Sequence, residues 1–121
     1  MRNVMVIDDS KTVRNYHSAI LTDFGFNVVE AENGMEAIEK SLDENIELFL
    51  VDVNMPIMDG YSFIKDIRQN ESYALTPIIM ITTQAHDSDK VEAYKVGANL
   101  FETKPIKPEL LHHFVKILLP S

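Results

Sequence analysis

Side chains that could do chemistry stand at the ends of the apolar runs of this chain. Asp8-Asp9 follow the first run, Asp52 and Thr82 follow two later ones, and Lys104 comes after a weaker one. Carboxylates a few ångströms apart repel each other by several kcal/mol at an effective dielectric constant of about 20, so a cluster of them needs protons or a cation. Oxygen ligands with open positions suit Mg²⁺. A carboxylate beside a divalent ion, a lysine and a hydroxyl is a plausible phosphoryl acceptor, so the residue types predict that chemistry if the fold brings them together.

Strand-like and helix-like patterns alternate along the chain, an arrangement that would bring these residues together. Three continuous apolar runs are typical of strands buried on both faces of a parallel sheet, and they fall at 4–7, 48–51 and 78–81, with weaker candidates at 27–30 and 99–102. Helical spacing of apolar residues fills the gaps, and the helices are predicted to begin after Ser10, at Asn33-Gly34, after Gly60, near Asp87 and near Pro108.

The order βαβαβαβαβα predicts an α/β fold, a flavodoxin-like doubly wound (βα)5 arrangement with the parallel strand order 2-1-3-4-5. The switch point of that order lies between strands 1 and 3. Ligands are expected beyond the carboxyl ends of these strands, where Asp8-Asp9 and Asp52 stand.

Composition narrows the class of protein. The length of 121 residues fits a single domain over 1–121. The formal net charge of −8 argues against direct binding to DNA or to an anionic membrane surface, and no apolar run approaches the ~20 residues of a membrane helix. There is no cysteine, and neither a GxGxxG nor a GxxxxGK[ST] loop occurs. The sequence therefore predicts a small acidic domain of cytoplasmic localisation.

Each candidate residue also has a structural alternative. An aspartate after a strand often only caps a helix or shapes a turn, and Asp59 before Gly60 is interpreted in that way. Phe101 is as well explained by a place in the core as by a functional role. His17 lies on the apolar face of the first helix and is expected to pack there, and capping explains the acidic residues near Asp87 better than metal binding does.

Four segments together resemble the receiver domain of two-component response regulators, within that family the single-domain chemotaxis type. They are VIDDS at 6–10, DVNMPIMDG at 52–60, MITT at 80–83 and KP at 104–105. The resemblance covers essentially the whole chain. It implies that Asp52 is the phosphoacceptor and that Asp8 and Asp9 hold Mg²⁺ together with Asp52 and the backbone carbonyl of Asn54.

The resemblance also implies the parts of a switch. Thr82 takes the position of the hydroxyl that binds the new phosphoryl group, and Lys104 that of the ion-pairing lysine, with a cis bond to Pro105. Phe101 takes the position of the aromatic switch residue, where the family often has Tyr. Asn54 and Gln84 occupy positions that set how fast the acyl phosphate hydrolyses, and we expect a lifetime of seconds to minutes.

The implied function is a stand-alone response regulator that is not an enzyme in its own right. Its phosphodonor would be a sensor histidine kinase, and a changed helix 4/strand 5/helix 5 surface would control a protein partner, such as the flagellar switch or another histidine phosphotransfer protein. A phosphorelay shuttle, a phosphate sink and a receiver cut from a larger regulator remain alternatives. A small Mg²⁺-dependent aspartyl-phosphate phosphatase is the rival from another class, but its second acid would stand where this chain has Asn54.

Overall fold

Five parallel strands form one sheet with helices on both faces. The computed structural model describes residues 2–83 and 86–120. The strands are β1 Asn3–Ile7, β2 Asn27–Ala31, β3 Ile46–Asp52, β4 Ile78–Thr82 and β5 Leu100–Thr103. The helices are α1 Lys11–Asp23, α2 Gly34–Asp43, α3 Gly60–Arg68, α4 Asp87–Val96 and α5 Pro108–Leu118, and a single 3₁₀ turn, Glu71–Tyr73, precedes β4.

The strand order is β2-β1-β3-β4-β5, and all neighbouring strands pair in parallel. The predicted doubly wound fold is therefore confirmed. In the register, Ile7 pairs with Val51, and Val51 pairs with Met80. The residues that follow β1 and those that end β3 and β4 consequently meet at one edge of the sheet.

Alternation along the strands divides the core into two layers. In β4, Ile78 and Met80 pack toward α2, α3 and α4, whereas Ile79 and Ile81 pack toward α1 and α5. All four of these side chains are fully buried. Strands covered on both faces bury every side chain, which is why their sequences are continuous rather than alternating apolar runs.

Polar residues begin the helices where the sequence predicts. The Ser10 hydroxyl accepts a hydrogen bond from the Val13 N–H at 3.3 Å, and the Asp59 carboxylate accepts one from the Ser62 N–H at 2.8 Å. Each bond satisfies a backbone donor that has no partner within the first helical turn. Asp59 thus has a structural role, as predicted, but as the cap of α3, and it fixes where this helix begins after β3.

Helix α4 is the least buried of the five helices. Ala93 is its one fully buried residue, and Val91 and Tyr94 are exposed. It ends at Gly97, whose φ of 119° is costly for any residue with a Cβ. Few apolar contacts therefore hold this helix against the sheet.

None of the helices in the described part of the chain is both long and apolar enough to cross a membrane; the longest, α1, has 13 residues.

Candidate phosphoacceptor and metal site

Three carboxylates meet at the switch point of the sheet. Asp52 is the last residue of β3, and Asp8 and Asp9 directly follow β1. One carboxylate oxygen from each of the three lies within 4.8 Å of the others. Asp8 and Asp52 are buried, whereas Asp9 is exposed. The fold thus brings together the residues that the sequence placed far apart.

Lys104 supplies the positive charge at this cluster. Its Nζ lies 3.1 Å from Asp52 Oδ1 and 3.1 Å from Asp8 Oδ2. Only 8% of the Lys104 side chain is exposed, so water screens these ion pairs weakly. One ammonium therefore bridges the two buried carboxylates.

That ammonium does not fully compensate the buried negative charge. Burial raises the pKa of Asp52 to about 7, with the charge of Asp8 adding to the effect, while Lys104 opposes it. Burial by itself lowers the pKa of Lys104, but its ion pairs with Asp52 and Asp8 outweigh burial and place the pKa above its usual value. The site thus holds an excess of negative charge that a further cation would relieve.

The donor set fits Mg²⁺. Carboxylate oxygens are the ligands this ion prefers, and it retains open positions for water and phosphate oxygens. A raised pKa of Asp52 is expected at a site that binds a cation in addition to the Lys104 ammonium, because the cation would favour the ionised carboxylate. Asp9 reaches solvent, whereas Asp8 and Asp52 are both buried and paired with Lys104, so Asp9 is the most accessible of the three carboxylates.

Asp8 is also held from α1, by a residue that the sequence analysis missed. The Ser10 N–H donates to Asp8 Oδ1 at 2.9 Å. Arg14, nearly buried, donates from Nη1 to the Asp8 backbone carbonyl at 2.8 Å and from Nε to Glu30 on β2 at 2.8 Å. The sequence does not indicate that Arg14 is important, because its role depends on a backbone carbonyl that it contacts only in the folded chain.

The segment that carries Lys104 is fixed to its neighbours through the backbone. The Lys104 N–H donates to the Thr82 carbonyl at 2.8 Å, and the Lys104–Pro105 bond is cis. The cis bond expected from the resemblance is therefore present. The backbone hydrogen bond ties the start of the segment after β5 to the end of β4.

Thr82 and Phe101 lie where the sequence analysis placed them. Thr82 ends β4 and is 3% exposed, and Phe101 on β5 is 6% exposed and belongs to the core layer shared with α3 and α4. Phe101 pairs in register with Met80, two residues before Thr82. Both alternatives for Phe101, a core aromatic and a switch residue, are compatible with this burial.

The loop after β3 forms the rim of the site. Asn54 is exposed on it, and Ile57 adopts a φ of 70° with its side chain 80% exposed. A β-branched residue in the left-handed region is rare, and nothing in the local sequence signalled it. Gln84, the other residue expected to influence hydrolysis, lies outside the described residues.

The histidines do not join this site. His17 is buried on α1, as predicted, while His112 and His113 are exposed on α5. Asp87 and Asp89 lie in the first turn of α4, where acidic residues complement the helix dipole. Within the described residues, Asp8, Asp9 and Asp52 are the group of acidic and histidine side chains close enough to share a metal ion.

Comparison with known proteins agrees with this arrangement. The family profile described as "Response regulator receiver domain" matches residues 4–116. This chain belongs to that family. It is 37% identical to Chemotaxis protein CheY1 of Helicobacter pylori over 119 residues, covering 96% of this chain and 95% of that protein. It is 36% identical to Protein PilG of Pseudomonas aeruginosa over 118 residues, covering 98% of this chain and 87% of that protein.

Solved structures of receiver proteins share the fold. The chemotaxis protein CheY4 of Vibrio cholerae is 37% identical, with a TM-score of 0.93 over 98% of this chain and 99% of that one. The receiver domain of sensor histidine kinase PA1611 from Pseudomonas aeruginosa is 25% identical, with a TM-score of 0.91 over 99% of this chain and 98% of that one. That structure contains a magnesium ion coordinated in its active site cleft. The receiver family and the CheY-like fold expected from the sequence are thus confirmed.

Proposed function

We propose that this receiver acts as a signalling switch that accepts a phosphoryl group on Asp52 from the phosphohistidine of a sensor kinase. The single observation that carries the proposal is the cluster of Asp8, Asp9 and Asp52 within 4.8 Å, with the Lys104 ammonium 3.1 Å from Asp52. Membership of the receiver family agrees with this role.

Asp52 is the nucleophile of the proposed transfer. One of its carboxylate oxygens attacks the phosphorus, and a P–O bond forms while the P–N bond to the donor imidazole breaks. The electron pair of that bond goes to the imidazole nitrogen, which takes up a proton from solvent. The ionised form of Asp52 is required, so the pKa of about 7 makes its charge state sensitive to neighbouring cations near neutral pH.

The other residues stabilise charge on the transferred group. Lys104 already contacts Asp52 and Asp8 and can follow a phosphoryl oxygen as negative charge develops there. Asp8, Asp9, Asp52 and the backbone carbonyl of Asn54 are the groups that would hold Mg²⁺. When bound, Mg²⁺ supplies neutralisation of the carboxylates and of the phosphoryl oxygens.

Thr82 is the proposed link to the output surface. Its hydroxyl would bind one of the three new acceptor oxygens, which arrive with nearly two negative charges. Thr82 lies on the strand next to β5, so a shift at the end of β4 reaches Phe101 and the thinly packed α4. The α4/β5/α5 surface would then change its affinity for a protein partner.

The similarity to chemotaxis proteins favours an output through protein contact in a chemotaxis-type pathway. A flagellar switch component or another histidine phosphotransfer protein is the kind of partner that we propose. CheY1 of Helicobacter pylori and CheY4 of Vibrio cholerae are the relatives that support it.

Intact mass after incubation with acetyl phosphate and Mg²⁺ tests the proposal. We expect one added phosphoryl group on the wild-type chain and none on Asp52→Ala or after Mg²⁺ is chelated. Asp66→Ala, which removes an exposed carboxylate on α3, is the matched control and should be phosphorylated like wild type. If neither phosphorylation nor beryllofluoride binding is detected on a folded wild-type chain, the proposed function is wrong.

A further inference from the structure

Two adjacent residues of α1 hold both backbone polar groups of Ile106, two residues beyond Lys104. The Tyr16 hydroxyl donates to the Ile106 carbonyl at 3.0 Å, and the Ile106 N–H donates to Nε2 of His17 at 3.1 Å. The two rings also meet edge to face, with centroids 5.1 Å apart. We call Tyr16 and His17 together the Ile106 clamp.

Burial of the polar His17 ring costs free energy of folding, which its hydrogen bond to the Ile106 N–H can offset. His17 is fully buried, and the Val13 carbonyl in the preceding turn offers its ring only a poorly aligned hydrogen bond. A buried polar ring that is incompletely hydrogen-bonded destabilises a fold relative to one whose polar atoms are all well paired. What His17 offers beyond packing is an acceptor directed at one backbone N–H.

The charge state of His17 suits an acceptor. Burial lowers its pKa to about 4, against the opposing effect of the Asp8 carboxylate. At neutral pH the ring is therefore uncharged, and Nε2 carries the lone pair that the Ile106 N–H needs.

The clamp completes the support of the segment that carries Lys104. At one end of this segment, the Lys104 N–H is bound to the Thr82 carbonyl at 2.8 Å. At the other end, the clamp holds the backbone of Ile106. The Ile106 side chain, which is 1% exposed, packs in the core layer shared with α1 and α5. Between these anchors, the Lys104 ammonium has to stay 3.1 Å from each of two carboxylates.

We propose that Tyr16 and His17 are positioning residues, which fix the 104–106 segment from α1 so that Lys104 is held between Asp8 and Asp52. This inference rests on the proposed function, since it concerns how the phosphoacceptor site is kept in order. It assigns to the inner face of α1 a part in the transfer reaction, although neither ring touches the reacting atoms.

The test compares two substitutions of His17 in the full chain. His17→Leu fills the space but removes the acceptor, whereas the amide oxygen of His17→Gln can replace Nε2. We expect His17→Leu to lower the rate of phosphorylation by acetyl phosphate and Mg²⁺ by about tenfold, the factor that corresponds to losing one net hydrogen bond. Exchange of the Ile106 amide, followed by NMR, should speed up by a similar factor.

His17→Gln should restore most of the wild-type rate, and Tyr16→Phe should cause a smaller fall than His17→Leu because Tyr16 lies partly in solvent. His113→Leu makes the same change at an exposed site on α5 and should leave the rate unchanged. His17→Leu should unfold at a somewhat lower denaturant concentration than wild type, because it leaves the buried Ile106 N–H without its acceptor, so the rates are compared under conditions in which every variant is fully folded. Slower phosphorylation of a fully folded His17→Leu chain, together with rescue by His17→Gln, separates positioning from folding.

Equal rates for wild type and His17→Leu would overturn this inference alone, as would an equal loss in His17→Leu and His17→Gln. A wild-type chain that is not phosphorylated would overturn the proposed function and this inference with it.

Discussion

Asp52, the proposed nucleophile, meets two opposing requirements, because a nucleophile must be ionised and a buried carboxylate resists ionisation. Burial and the nearby Asp8 raise its pKa to about 7, and Lys104 only partly offsets them. The folded state therefore binds this proton more tightly than the unfolded chain does, so the contribution of Asp52 to stability should fall as pH rises from about 4 to about 7. Ionised Asp52, the proposed phosphoacceptor, is thus a source of instability in the absence of a metal ion.

Asp52→Asn should consequently stabilise the metal-free protein at pH 8. We expect a gain on the order of 2 kcal/mol, less than the full pKa shift implies because the ion pair with Lys104 is lost. The gain should shrink toward pH 4 and on addition of Mg²⁺. Denaturant unfolding at several pH values measures it, with the exposed Asp66→Asn as control. An Asp52→Asn variant less stable than wild type at pH 8 would contradict this account.

His17 responds to pH with the opposite sign. Its pKa falls from 6.5 in the unfolded chain to about 4 in the fold, so the unfolded state binds more protons between these values. Its contribution to stability is complete above pH 6.5 and is lost as pH falls toward 4. The comparison of Asp52→Asn with wild type cancels this contribution because both proteins contain His17.

At the scale of elements, the close approach of α3 to β3 sets the position of Asp52. A Cβ on Gly60 would lie 2.3 Å from the Asp52 backbone oxygen and 2.7 Å from Met80 Cε. The Gly60 N–H also donates to the Val53 carbonyl at 2.9 Å. Glycine is required here by the space between helix and strand rather than by its backbone angles.

Gly60→Ala should therefore displace the end of β3. We expect a loss of about 3 kcal/mol in the free energy of unfolding, typical of overpacking against backbone, and slower phosphorylation of Asp52. Gly25→Ala is the matched control: its φ is 95° but no atom lies within 4 Å of the added Cβ, so it should cost about 1 kcal/mol and leave phosphorylation intact. Denaturant unfolding and intact mass report the two effects, and equal behaviour of both variants would contradict the steric argument.

At the scale of the whole molecule, burial is uneven: the central strands are tightly packed, whereas α4 makes few buried apolar contacts. Strands β1, β3 and β4 are almost fully enclosed, whereas α4 buries Ala93 alone. Local stability follows buried apolar contact, so the opening free energies of these elements should differ. The element proposed to change on phosphorylation is also the one held least firmly.

Amide hydrogen exchange should show this difference in the unphosphorylated chain. We expect the central amides of α4 to exchange at least tenfold faster than those of α3, which buries Gly60, Phe63, Ile64 and Ile67. Beryllofluoride with Mg²⁺ should alter exchange in α4 and β5 more than in α1. Equal protection of α3 and α4 would argue against a mobile output helix.

Much of this protein can be predicted from its sequence because local patterns determine its elements. Continuous apolar runs indicated the buried strands, polar caps such as Ser10 and Asp59 indicated helix starts, and the alternation of strand and helix indicated the order 2-1-3-4-5. Since parallel strands end at a common edge, that order already placed Asp8, Asp9 and Asp52 together.

Contacts between distant segments could be decided only by the tertiary structure. The sequence does not show that His17 accepts from the Ile106 N–H, which lies 89 residues away. Nor does it show that Arg14 contacts the Asp8 carbonyl, because this contact depends on how α1 packs on the sheet. The pKa of Asp52 likewise depends on burial and on the distances to Asp8 and Lys104. Residue types determined which chemistry this chain can perform, whereas packing determined the charge balance and the supports that hold the reacting groups in place.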